Sequence, residues 1–165
     1  MTPAIHRLLV PIDFSAGSNK ATEHAAALAA ALGASIHLLH VVDESFASQA
    51  PWEFYMPDSP RRGRTVQETE SKLAAIEAGF RRTGAKVTIE VRSGRAAREI
   101  VAVAADRGTD LIVMGTHGRT GLSHVMYGSV AEQVVRKATC PVLAVCEPRA
   151  DYMPTSSGAA AMRVS

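Results

Sequence analysis

The strongest constraint on this chain is a series of short strand-like segments, several of them unbroken apolar runs, separated by stretches of helical period. The first, Arg7-Leu8-Leu9-Val10-Pro11-Ile12, stops at Asp13-Phe14-Ser15-Ala16-Gly17-Ser18. Apolar runs without polar alternation suit parallel strands covered on both faces. Ala21, Ala25, Leu28 and Leu32 then mark one face of a first helix, and Gly33 supplies its stop. A second strand spans Ser35 to Val42 and ends at Asp43. Helix two runs from about Val66 to Arg82, with Leu73, Ile76 and Phe80 inward and Gly84 at its end. Strand three covers Lys86 to Val91, and helix three Ala96 to Asp106, turning Ala97, Ile100 and Ala104 inward. Strand four is Asp110 to Met114. Helix four, Val130 to Ala138, presents Ala131, Val134, Val135 and Ala138, and strand five is Pro141 to Val145. This alternation predicts a single-domain α/β fold, an open five-stranded parallel sheet with right-handed crossovers and helices on both faces. Aromatics at only 5%, beside abundant Ala and Val, suit helices packed closely on a sheet.

The 165 residues are enough for one domain with a real core. Residues 1–147 are expected to form it. Residues 148–165, with Pro, Ser, Gly and Ala and no long period, are expected to be a flexible tail. The stretch from Glu44 to Arg64 reads as a long connection holding Pro51, Pro57, Pro60, Trp52, Phe54, Tyr55 and the basic Arg61, Arg62 and Arg64. A formal charge of +2, spread along the chain, argues against nucleic acid or an anionic membrane as partner. No run approaches the ~20 apolar residues of a membrane span, and no signal-peptide pattern is read at the N-terminus. Cys140 and Cys146, six residues apart on one strand-like run, would lie roughly 20 Å apart and cannot pair with each other. They are expected to be buried, reduced thiols in a cytoplasmic protein. His24, His37 and His40 fall on separate faces or elements and suggest no metal cluster.

In open α/β sheets, ligands bind beyond the carboxyl ends of the strands, where the strand order reverses. Three segments qualify: Pro11 to Ser15, Val41 to Asp43, and Gly115 to Ser129. The last, Gly115-Thr116-His117-Gly118-Arg119-Thr120-Gly121-Leu122-Ser123-His124-Val125-Met126-Tyr127-Gly128-Ser129, is glycine-rich and opens a helix. Glycines let backbone amides approach an oxyanion closely, and a helix start offers free amides and a favourable dipole. Ser129 and Glu132 have capping-box spacing. The same glycines could simply make turns. Neither a Walker loop nor the G-x-G-x-x-G dinucleotide fingerprint is present.

Four ordered motifs complete the reading: Val-Pro-Ile-Asp-Phe-Ser from Val10 to Ser15; Asp-Leu-Ile-Val-Met-Gly-Thr-His-Gly from Asp110 to Gly118; Gly115 and Gly118, then nine residues, then Gly128-Ser129; and Cys140 to Val145. Together they resemble the universal stress protein family over about Ile5 to Glu147. The resemblance implies strand order 3-2-1-4-5 and a homodimer formed by antiparallel pairing of the last strands, here Val142 to Val145. The complete glycine pattern resembles that of the family's ATP-binding class. Carried over by motif, Pro11 and Ile12 would line the base pocket, Val41 would read the adenine edge through its backbone, and Asp13 would bond the ribose hydroxyls. Met114 and Gly115 would flank the nucleotide. Gly118, Arg119, Gly128, Ser129 and Val130 would hold the phosphates, with Ser15 near them or near a magnesium ion.

The residues leave bland alternatives open: Asp13 and Ser15 as turn and cap residues, Arg119 and His117 as solvated loop side chains. The leading expectation is an ATP-binding stress-response or signalling module whose nucleotide state modulates a dimer or a protein partner. A slow ATPase and a nucleotide-free, chaperone-like dimer are the alternatives. No pair of acidic metal ligands and no phosphate-loop lysine supports the enzyme, and no catalytic residue is assigned.

Overall fold

The computed structural model describes residues 4–43, 60–82, 84–116 and 128–146. Along them run β1 (Arg7–Ile12), α1 (Ala16–Leu32), β2 (Ser35–Asp43), α2 (Pro60–Arg81), β3 (Val87–Gly94), α3 (Ala96–Asp106), β4 (Leu111–Gly115), α4 (Ser129–Lys137) and β5 (Val142–Val145). The strands form one parallel sheet in the order β3-β2-β1-β4-β5, as the family resemblance implied. Every residue of β1 after Arg7 is buried, which is what its unbroken apolar run demands.

Two hydrophobic clusters lie on the two sides of the sheet. Leu8, Val10 and Ile12 of β1, with Ile36 and Leu38 of β2 and Val113 of β4, pack against Ala21, Ala25 and Ala29 of α1 and Leu73 and Phe80 of α2. The alternate residues Leu9, Leu39, Ile112 and Met114 pack against Ala97, Ile100, Val103 and Ala104 of α3 and Ala131 and Val134 of α4. The period of two thus sends each strand's side chains alternately to two helical layers.

Helix α1 approaches the sheet through small residues, its buried positions being Gly17, Ser18, Ala21, Ala25 and Ala29. Of the expected inner residues, Ala21 and Ala25 are buried and Leu28 packs at the edge of the cluster, but Leu32 is 46% exposed, because Ala29 takes the last contact of this stripe with the core. Similarly Val135 is 50% exposed while Ala131 and Val134 carry the contact of α4. Helix α2 begins at Pro60, several residues before the expected start, so Arg61, Arg62 and Arg64 belong to a helix and not to the preceding connection. Proline at a helix start is favourable, since its missing N–H would have had no intrahelical partner. Residues 44–59 and 147–165 lie outside the described residues.

The two cysteines are free but not buried as expected: Cys140 is half-buried and Cys146 exposed. Partial burial pushes the Cys140 thiol above its ordinary value.

At the β3 edge, the side of the sheet facing α3 turns polar. Glu90 Oε2 accepts from Arg107 (Nε at 3.0 Å) and contacts His37 Nε2 at 3.0 Å, while Oε1 accepts from Arg92 Nε at 2.5 Å. His37 Nδ1 lies 2.7 Å from the Thr88 hydroxyl. A neutral His37 that donates from Nε2 and accepts at Nδ1 satisfies both contacts. Arg92 also reaches Glu99 at 3.5 Å and Asp106 at 3.9 Å. The hydrogen bond from Arg92, aided by those from Arg107 and His37, holds the Glu90 carboxyl down to about 2. Burial, with Arg107 nearby, lowers His37 below its ordinary value.

Two predictions follow from this packing. A Cβ on Gly115 would lie 2.7 Å from the Gly17 carbonyl carbon and 3.1 Å from the Ser18 nitrogen, backbone atoms that cannot swing aside. Gly115→Ala should therefore cost about 1–3 kcal/mol in urea unfolding, and an unchanged midpoint would refute the close approach. Glu90 takes up its proton less readily in the folded chain, so its stabilisation is present above its ordinary value of 4.5 and fades as pH falls toward about 2. Depression of His37 acts in the same direction, beginning below 6.5. Glu90→Gln should be less stable at neutral pH and show a shallower loss on acidification; parallel pH profiles of the two proteins would contradict this.

Candidate functional site

The order β3-β2-β1-β4-β5 reverses between β1 and β4: the chain leaves β1 into α1 on one side of the sheet and returns from β4 into α4 on the other. A crevice opens at such a point, beyond the carboxyl ends of the strands. Asp13 stands at the end of β1, Val41 near the end of β2, Met114 and Gly115 at the end of β4, and Gly128 at the start of α4.

The turn after β1 is tightly organised. Asp13 Oδ1 accepts from the Ser15 amide at 3.0 Å and from the Ser15 hydroxyl at 2.5 Å. Ser15 is the N-cap of α1, its Oγ accepting from the Ser18 amide at 3.1 Å. Asp13 thus braces the cap residue, while its Oδ2 has no hydrogen-bond partner among the described residues. The one hydroxyl proton of Ser15 is spent on Asp13, leaving only an oxygen lone pair to offer elsewhere.

Between these two residues Phe14 has φ 63°, a left-handed conformation unusual for a bulky side chain. Its ring stacks on His40 at 4.8 Å between centroids, and Lys72 lies 5.4 Å above it. His40 Nδ1 in turn donates to the Ile12 carbonyl at 2.7 Å. These contacts hold the turn from the α1–α2 side.

Strand alternation sorts the apolar residues proposed for a base pocket. Met114 is buried in the α3–α4 side cluster, with Val41 and Val130 packed against it. Pro11 shares that side by alternation with Leu9. The side chain of Ile12 does not join them: it is buried on the opposite side with α1 and α2, leaving only its backbone at the crevice.

Helix α4 opens without a side-chain cap. Gly128 is its N-cap, and the Gly128 carbonyl accepts from the Glu132 amide at 3.0 Å. The expected capping box does not form, because Ser129 is already the first helical residue and sits one position too far along the chain to cap. The amides of Ser129, Val130 and Ala131 have no acceptor among the described residues. Thr116, to which the sequence analysis gave no role, fixes this helix start. Its amide donates to the Val145 carbonyl at 3.0 Å, and its carbonyl accepts from the Gly128 amide at 2.6 Å. Gly118, Arg119 and His117 lie outside the described residues.

The carboxyl end of the sheet at the switch point therefore carries buried apolar side chains, the Asp13 carboxylate and the amide donors at the start of α4. Among the described residues, no cluster of His, Cys, Asp or Glu could hold a metal ion, and no helix is long and apolar enough to cross a membrane.

The sequence profile described as "Universal stress protein family" matches residues 4–145. Universal stress protein MJ0531 of Methanocaldococcus jannaschii is 35% identical over 147 residues, covering 87% of this chain and 83% of that protein. The solved structure of MJ0577 from the same organism is similar with a TM-score of 0.79 at 31% identity, covering 88% of this chain and 99% of that one. A universal stress protein solved in complex with cAMP shares the fold at 22% identity, with a TM-score of 0.63 and coverage of 87% and 98%. The match along nearly the whole chain, on a sheet of the expected order, makes this chain a member of the universal stress protein family.

Proposed function

We propose that the chain is an ATP-binding module of a cytoplasmic stress-response or signalling system, and that nucleotide occupancy is read out through its dimer or a protein partner. The observation that carries this reading is the uncapped start of α4 on the β4 side of the switch point whose β1 side ends at Asp13. In this reading Asp13 accepts the ribose hydroxyls through its free Oδ2, and Pro11, Val41 and Met114 hold the base, with the Ile12 backbone beside them. Gly115 lies along the nucleotide. The amides of Ser129 and Val130, with Gly118 and Arg119, take the phosphates, and Gly128, lacking a side chain, lets them approach. Ser15 keeps Asp13 oriented, and its remaining lone pair can face a magnesium ion. The complex of a family member with cAMP supports an adenine nucleotide as the ligand class.

The homodimer is proposed through β5. This is an edge strand, and Leu143 on it is 39% exposed. Antiparallel pairing of Val142 to Val145 with a second copy would satisfy the open edge and cover that side chain.

Small molecules released by denaturing freshly purified, undialysed protein should include ATP at near one per chain. An empty protein that also fails to bind added ATP with magnesium would overturn the assignment, and released ADP would instead call for a timed hydrolysis assay. Asp13→Ala should weaken ATP binding by about 10- to 100-fold, and Gly128→Val should abolish it by obstructing backbone approach. Unchanged affinity in both variants would remove the site from this crevice. Leu143→Asp should shift sedimentation toward the monomer; a wild-type profile would count against the β5 interface.

A further inference from the structure

The α3–α4 layer sorts its charges. Six cations stand on or beside it: Arg92, Arg95, Arg98, Arg107, Arg136 and Lys137. Arg92 and Arg107 are taken up by Glu90, Glu99 and Asp106 toward β3, and Arg136 by Glu132 within α4. Arg95, Arg98 and Lys137 have no ion pair among the described residues, and all three border one groove of about 300 Å³. Val101 and Gln133 complete its described lining. Arg95 and Arg98 stand one turn apart, while the α3 acids Glu99 and Asp106 are engaged by Arg92.

Their placement goes against the helix. Arg95 is the N-cap of α3 and Arg98 lies in its first turn, where cations are disfavoured by the helix dipole. Neither residue belongs to the nucleotide site proposed above.

We propose that the α3–α4 groove is a docking surface for an acidic peptide segment of a partner protein, with carboxylates flanking an apolar side chain. Three unpaired cations supply charge complementarity along the groove, and the two guanidinium forks match carboxylate geometry. Val101 gives an apolar side chain a place to rest. The Gln133 amide, which can both donate and accept, suits a peptide bond. A simple polyanion would make no use of either residue, and the small net charge of the chain does not favour nucleic acid.

The test uses the full chain and a short fluorescein-labelled peptide in which glutamates flank a central leucine, read by fluorescence anisotropy at low salt. The expected result is binding that weakens with added salt, falls at least about tenfold in the double variant Arg95→Glu with Arg98→Glu, and is absent for the peptide with glutamine in place of glutamate. Lys137→Glu should also weaken binding and carries the test if the double variant melts abnormally. The proposal is overturned if the glutamate peptide does not bind, if the glutamine peptide binds equally, or if folded variants bind as tightly as wild type. Binding of inorganic polyphosphate in preference to the peptide overturns it as well. Displacement of the peptide by equimolar ATP would assign these cations to the nucleotide site instead.

Discussion

Everything at the candidate site depends on the parallel pairing of β1 with both β2 and β4. β1 lies between β2 and β4, its side chains from Leu8 to Ile12 are buried, and its pairing with β2 runs to its last residue. Its carboxyl end is consequently a fixed point from which Asp13 projects. The two neighbours then connect to helices on opposite sides of the sheet, the arrangement that opens a crevice at a switch point in α/β sheets. The crevice is a result of topology, and side chains only decide what it can hold.

Small residues bring the flanking pieces close enough for that crevice to have a definite width. The end of β4 and the start of α1 touch at Gly115 and Gly17, where two backbones meet with no intervening Cβ. On the other side, Thr116 ties the end of β4 both to β5 and to the start of α4. Asp13 and the α4 amides are therefore held by different elements whose relative positions are set by backbone contacts rather than by long side chains.

Much of this was legible in the chain itself. The apolar run of β1 and the small, periodic residues of α3 predicted their elements to the residue. The period of two, followed along Leu9, Leu39 and Met114, could have separated Ile12 from the base-pocket side, but motif matching alone does not carry orientation. The inner stripe of α1 is legible through Ala21, Ala25 and Leu28 and departs at Leu32, because the close-packed face continues through the small Ala29 and begins at Gly17 and Ser18. The start of α2 at Pro60 is obscured by Pro60 and Gly63, the two residue types least favourable to a helix interior. The positive φ of Phe14 has no signal in the sequence, because a bulky residue rarely adopts it.

The hydrogen bond between the Thr116 carbonyl and the Gly128 amide has a broader implication. It brings the two ends of the intervening stretch together, as a clasp closes a ring. The entropic cost of enlarging a flexible closed loop grows slowly, by only about 0.6 kcal/mol for each doubling of length. The fold can therefore accept changes in the length and composition of that stretch while the sheet and α4 keep their positions. On the nucleotide-binding reading proposed above, phosphate contacts made from that stretch are separable from the contacts that hold the sheet and α4 in place.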